Sequence, residues 1–317
     1  MKIVLSLPYA LTSLFVVVAE RIPFDVTAVP WRVGARHRRA AARAIGSPAL
    51  LVTHHPTPWR PGRTSLTPDE RRLPRRSGQH LVISTTAAPH ELPGSLQLAR
   101  ATARALAREY DGLLIDPLSG TAVPACGRAE GEPVDFDLGD DWLGWAIHPH
   151  DTIPCSAPEP DACDGLSVTS RGLRRFALPE ITLDGAACTH HECATGLLST
   201  VAYRLVADQL AFVTAHPDAR QRTIDDHLRI EPSPPGDHDP TPFTVRLTPC
   251  ETGSPEPGRP GVTTRLKVAP ADGTDQTTCL KIGPPPGFPD GLTDRLPETS
   301  QATLASIDCH PSPVLAA

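Results

Sequence analysis

Residues His80–Val123 read HLVISTTAAPHELPGSLQLARATARALAREYDGLLIDPLSGTAV, and this stretch decides the fold. Leu81-Val82-Ile83-Ser84-Thr85 is rich in β-formers, and Pro89 and Pro93 punctuate the turn that follows. Ser95 is the expected N-cap of a helix running to Tyr110, with Leu96, Ala99, Ala103, Leu106 and Tyr110 along one stripe. Gly112 stands at the C′ position, where a left-handed residue commonly ends a helix. Leu113-Leu114-Ile115 follows as a second buried strand, and Asp116–Gly120 carries the residues of a turn. Strand, helix and strand at this spacing make a βαβ or split βαβ unit.

Upstream, Ile3–Leu7 reads as a short buried strand, Pro8 as a turn and Leu14–Ala19 as a second buried segment. Ala35–Ile45 is helix-prone, and Ala49–Thr53 is a short buried strand between Pro48 and Pro56. His54–Gly78, studded with Pro, Arg, Ser and Thr, is expected to be a mobile loop. Downstream, Val134, Phe136 and Leu138 alternate with Asp135 and Asp137, predicting a half-buried strand with its carboxylates outward. Trp142–Ile147 is expected in the core and Ile181–Leu183 as an edge strand. A helix over Ala194–Ala215 follows, with Leu197, Val201, Leu205 and Phe212 inward and Pro217 as its stop. Thr244–Thr248 and Thr263–Val268 alternate cleanly and suggest a long hairpin, with Cys279–Ile282 a third strand.

These segments predict an α+β fold: a mixed α/β lobe holding the βαβ unit, then a small β-rich C-terminal segment. The lobe spans 1–230, divisible into 1–125 and 126–230. A Pro-rich linker covers 231–242, the hairpin-rich segment 243–296 and a flexible tail 297–317.

Composition narrows the function classes. The chain has 317 residues, a hydrophobic fraction of 39 % and a net charge of −6, which together fit a folded, freely soluble chain and exclude a strongly basic nucleic-acid-coating protein. Proline reaches 37 residues, and only Lys2, Lys267 and Lys281 of the 30 basic residues are lysine, a bias of high-GC coding. Trp31–Arg76 holds eleven arginines against Asp69 and Glu70 alone. Such a stripe could meet phosphate, but without the aromatic interleaving of a single-strand platform it is read as a solvated face plus linker.

The apolar run Ile3–Ala19 is the one membrane-like stretch, with Val17-Val18-Ala19 resembling a cleavage site. Ser6, Pro8, Thr12 and Ser13 interrupt it, so neither a signal peptide nor a spanning helix is expected. The eight cysteines, at about one per 40 residues, read as buried thiols rather than a disulfide framework. A cytoplasmic location follows. If residues 1–19 were cleaved, a secreted, disulfide-containing protein would be the alternative.

One cluster has metal-ligand residue types: Cys188, His190, His191 and Cys193. A single helix cannot gather all four, because residues advance ~100° each. The favoured reading is a helix start whose polar residues face solvent, so no cofactor is expected, zinc being the one considered. His191-Glu192 lacks the second histidine of a metalloprotease motif, since position 195 is Thr. No phosphate loop and no nucleophile elbow occurs. His54-His55 and His148-x-His150 sit beside prolines and read as solvated loop histidines.

His80–Ser84, Ala99–Asp116 and Leu173-x-x-Phe176-Ala177-Leu178-Pro179-Glu180 resemble stretches of uncharacterised actinobacterial proteins of unknown function. The resemblance covers about residues 45–215 and implies an α+β fold and a bacterial origin, with no activity or catalytic residue attached. Ala177 departs from a glycine in that pattern. The resulting functional expectation is a non-catalytic interaction or regulatory protein with a protein partner, and neither nucleic acid nor membrane as target. A metal-dependent hydrolase using Cys188–Cys193, with Asp135 and Asp137, is the alternative.

Overall fold

In the computed structural model, which describes residues 2–60, 62, 64–124, 132–133, 135–139, 141–149, 166–186, 190–230, 243–250 and 279–283, the deciding stretch forms β4 (Gln79–Ala87), α4 (Gly94–Glu109) and β5 (Leu113–Asp116). β4 and β5 are not neighbours. Between them lies β2 (Leu11–Ala19), antiparallel to both, so the unit is a split βαβ. With β3 (Leu51–His55) and β6 (Thr121–Ala122), the sheet order is β3-β4-β2-β5-β6. β3 is an edge strand, only partly buried.

The central place of β2 explains its sequence. Phe15, Val17 and Ala19 enter the main core, while Val16 and Val18, one residue out of phase, join Ile115 and Leu66 on the other face. A strand buried on both faces reads as a continuous apolar run, which is why it resembled a membrane segment. Among the described residues no helix is long and apolar enough to cross a membrane. Leu66, from the stretch expected to be a loop, is 2 % exposed, and the same stretch folds α3 (Arg72–Arg76).

The ends of α4 differ from expectation. Its N-cap is Pro93 and no side chain caps it; Ser95 lies inside the first turn. At the other end Asp111, with φ +48°, takes the left-handed position expected of Gly112. The Gly112 N–H donates to the Ala107 carbonyl at 2.7 Å and Asp111 N–H to that of Arg108 at 3.5 Å, a Schellman closure. Gly112 is needed instead for close approach: a Cβ there would stand 2.8 Å from the Val18 carbonyl oxygen. The short α1 (Val29–Arg32) and α2 (Ala35–Ala44) pack on α4, and Arg32 donates to the Tyr110 hydroxyl at 3.0 Å.

A six-stranded sheet completes the core. It comprises β7 (Gly144–Pro149), β8 (Leu166–Arg171), β9 (Glu180–Ala186), β11 (His227–Ile230), β12 (Phe243–Pro249) and β13 (Cys279–Gly283), in the order β11-β12-β13-β9-β8-β7. β9 is central rather than an edge. Pro179 suggested an edge, but it precedes the first paired residue and leaves the ladder intact, and β13 pairs parallel with β9 from far downstream. The expected C-terminal strands therefore join the sheet of the preceding lobe: β12 pairs with β13, which docks on β9. The predicted strand 263–268, linker 231–242 and tail 297–317 lie outside the described residues.

The helix α5 (His191–Ala215) packs on β8 and β9, and β1 (Lys2–Ser6) pairs with β10 (Gln221–Asp225). Leu197, Val201 and Leu205 are buried as predicted, whereas Phe212 is half-buried and packs against a small separate cluster. The acidic stretch is not a strand: Phe136 and Leu138 do turn inward and Asp135 and Asp137 outward, but in loop conformation. One main cluster unites Phe15, Leu81 and Ile83 with Val168, Ile181 and Leu183, so both sheets share a core.

Candidate functional site

Charged side chains occur in two settings. In the interior, Arg100 on α4 meets Glu132, its Nε and Nη2 donating to Oε1 at 2.8 and 2.5 Å, and Arg104 Nε lies 3.0 Å from Oε2. Glu132 is 5 % exposed. Arg100 also stacks on Trp142, its Cζ 3.4 Å from the ring centroid. Burial pulls the Arg100 guanidinium below its ordinary value, and the Glu132 charge opposes that shift.

Arg175 forms the second pair, donating from Nη2 to Asp116 Oδ2 at 2.6 Å with both side chains fully buried. Asp116 Oδ1 in turn accepts from the Leu118 and Ser119 amides, which builds the predicted turn. Arg175 is carried on a 3-10 turn, Leu173–Phe176, whose amides at 172, 173 and 174 donate to the buried Glu180 carboxylate. Gly172 (φ +115°) opens that turn and Ala177 (φ +58°) closes it. Each of these carboxylates faces a guanidinium or backbone amides inside the fold, and none opens onto a cleft as an acid or base.

Of the four predicted ligand residues the structure describes His190, His191 and Cys193. Cys188 lies outside the described residues. His190 is the N-cap of α5, His191 begins it with Nε2 3.9 Å from Glu192 Oε1, and the Cys193 side chain is 2 % exposed in the main core. Helical rotation separates His191 from Cys193 as anticipated. Among the described residues no three His, Cys, Asp or Glu side chains come together as a metal site. Asp137 instead accepts from the Tyr203 hydroxyl at 3.1 Å, and Asp135 is exposed.

His54 and His55 are not loop residues; they end β3. His54 Nε2 lies 2.9 Å from Gln79 Oε1, and His55 stacks on His80 at 4.8 Å. The His80 Nδ1–H donates to the Thr57 carbonyl at 2.8 Å, tying down the backbone two residues before Trp59. Burial, above all, holds the His80 imidazole below its ordinary pKa, so it stays neutral. His148 is exposed on β7, and His150 lies outside the described residues.

The second charged setting is a cleft of about 560 Å³ on the outer face of the five-stranded sheet, lined by Trp59, Arg60, Thr64, Arg71 and Arg75 and walled by Pro58 and Pro74. Trp59 is half-buried against the Val16, Val18, Leu66 and Ile115 cluster, which fixes its place. Thr67 and Glu70 form a reciprocal cap: Thr67 N–H donates to Glu70 Oε2 at 2.7 Å and Glu70 N–H to Thr67 Oγ1 at 3.3 Å. This turn starts the path into α3 and sets Arg71 and Arg75, four residues apart, on one side. Asp69 pairs with Arg72 at 3.2 Å. Both acids of the arginine-rich stretch are thus engaged elsewhere, and Arg60, Arg71 and Arg75 have no carboxylate in ion-pair range among the described residues.

Sequence reasoning missed this cleft. It read the stripe as a solvated face plus linker for want of aromatic interleaving, although Thr67-x-x-Glu70 ahead of Arg71 signals a fixed turn. Comparison with protein-family models, curated proteins and solved structures returned no match.

Proposed function

We propose that the chain is a non-catalytic interaction or regulatory protein that holds an anionic group of its partner in the Trp59–Arg75 cleft. The observation that carries this reading is the lining itself: among the described residues it offers three guanidiniums with no carboxylate in ion-pair range and one indole, and no carboxylate, imidazole or thiol. Guanidiniums bind oxyanions through paired N–H donors, and they neither accept protons nor attack substrates at neutral pH. The interior acids, by contrast, are consumed in structural pairs.

A cytoplasmic location belongs to the same proposal. Cleavage after Ala19 would remove β2, the strand that joins β4 to β5.

Pyrophosphate titrated into the full chain by calorimetry tests the reading. Saturable binding that is lost in Arg71→Ala/Arg75→Ala is expected, with no turnover in a broad hydrolase screen. Turnover in that screen, or no pyrophosphate binding, would overturn it.

A further inference from the structure

We propose that the ligand of this cleft is a nucleoside polyphosphate, its base against Trp59 and its phosphates on Arg60, Arg71 and Arg75. The inference rests on the anion-binding reading above and names the chemistry of the ligand. Three features select it. First, the cleft's ~560 Å³ falls in the range of roughly 300–1,000 Å³ that suits a ligand of mononucleotide size, far more than one phosphate fills.

Second, the lining is two-sided in chemistry. An indole offers a π-face that accepts any base by stacking, and the arginines supply planar forks that match phosphate oxygens bidentately. A simple phosphate would make no use of the indole at the cleft wall, and an apolar ligand would make no use of the three guanidiniums. Third, the site is built before the ligand arrives. Trp59 is seated on the Val16–Val18 side of the sheet, the His80–Thr57 hydrogen bond fixes the backbone ahead of it, and the Thr67–Glu70 cap fixes the approach to Arg71. The indole and the backbone are thereby placed in advance, and the three exposed arginine side chains are what remains to be ordered on binding.

Arg71 and Arg75 at i,i+4 repel one another when the cleft is empty, because Asp69 and Glu70 are committed to Arg72 and Thr67. An anion of two or more charges relieves that repulsion. A diphosphate or triphosphate therefore fits better than a monophosphate.

The test is calorimetry on the full chain with ADP, pyrophosphate and adenosine, each at low and high salt. ADP should bind roughly tenfold more tightly than pyrophosphate, the margin of one base stack, and adenosine should bind weakest. Trp59→Leu should bring ADP to the pyrophosphate level, and Arg71→Ala/Arg75→Ala should abolish both together with their salt dependence. Trp59→Phe, which keeps a ring and the apolar seat, should retain most of the ADP advantage even if Trp59→Leu fails to fold. Equal affinity of ADP and pyrophosphate overturns the nucleotide inference while leaving anion binding intact. Binding of neither overturns both.

Discussion

Arg100, Arg104 and Arg175 lie inside the protein, each against a carboxylate; Arg60, Arg71 and Arg75 line an outer cleft with none. The residue type is the same, and the composition bias of the chain places arginine throughout. What separates the two sets is whether folding delivers an acid. Glu132 is 32 residues from Arg100, and Asp116 is 59 from Arg175. In the cleft, the two acids nearest in sequence are diverted into a turn and an exposed pair. Buried guanidiniums need partners because a lone charge in the core is prohibitive, so the interior arginines are fixed by structure. Exposed guanidiniums can stand unmatched, because water solvates them, and so remain available to a ligand.

The comparison breaks most visibly if one interior partner is removed. Asp116→Ala strands the Arg175 charge at zero exposure and should cost about 3–5 kcal/mol by urea unfolding. Asp116→Asn combined with Arg175→Met should recover part of that loss, since it removes the stranded charge while an amide oxygen still accepts from the Leu118 and Ser119 amides. If Asp116→Ala unfolds like the wild type, the interior set is no more structural than the outer one.

The turn that presents Arg175 gives a smaller effect of opposite sign. Ala177 holds φ +58°, a conformation that costs an L-residue roughly 1–2 kcal/mol relative to glycine. Ala177→Gly should raise stability by up to about 1 kcal/mol, once the extra chain entropy of glycine is subtracted. A loss of stability would show that the methyl group, at 8 % exposure, contributes more by packing than it costs by strain.

Acidification should separate the two regions as well. The folded-state pKa of His80 is held below the ordinary 6.5, chiefly by burial, so the unfolded chain binds the proton more readily. The stability this imidazole contributes is complete above that value and is lost as pH falls beneath it. Melting temperature should therefore drop on acidification below about pH 6.5, and the drop should shrink in His80→Gln. A drop unchanged by the substitution would remove His80 as its source.

The smallest effect is expected at the cleft itself. Arg71→Ala/Arg75→Ala should shift stability by no more than about 0.5 kcal/mol, and at low salt the shift should favour the variant, since a like-charge i,i+4 pair is removed. A large destabilisation there would mean that these arginines hold the fold, and the distinction between the two sets would collapse.

Local pattern and tertiary context divide the molecule unevenly. The βαβ unit was legible because its signals are local: short β-prone or apolar runs at Leu81–Thr85 and Leu113–Ile115, and a helical stripe between them. The buried nature of Leu14–Ala19 was legible too, though not its place between β4 and β5. Strand neighbours separated by more than sixty residues leave no mark within either strand, which is also why Ile181–Leu183 looked like an edge until β13 paired with it. The ends of α4 slipped because two residues compete for each role: Pro93 displaced Ser95 as cap, and Asp111 took the left-handed position that Gly112 could have filled.

Of the site, sequence alone determined the ingredients and little of the arrangement. It marked the excess of arginine over acid in 31–76 and the helical rotation that keeps His191 and Cys193 apart. It could not foresee that Leu66 would anchor the stretch to the sheet, or that Trp59 would sit among Arg60, Arg71 and Arg75. Charge and periodicity are properties of neighbouring residues and survive in the linear chain. A cleft, and the presence or absence of a carboxylate beside each arginine, depends on contacts between residues far apart in sequence, and only the folded core brings them together or holds them apart.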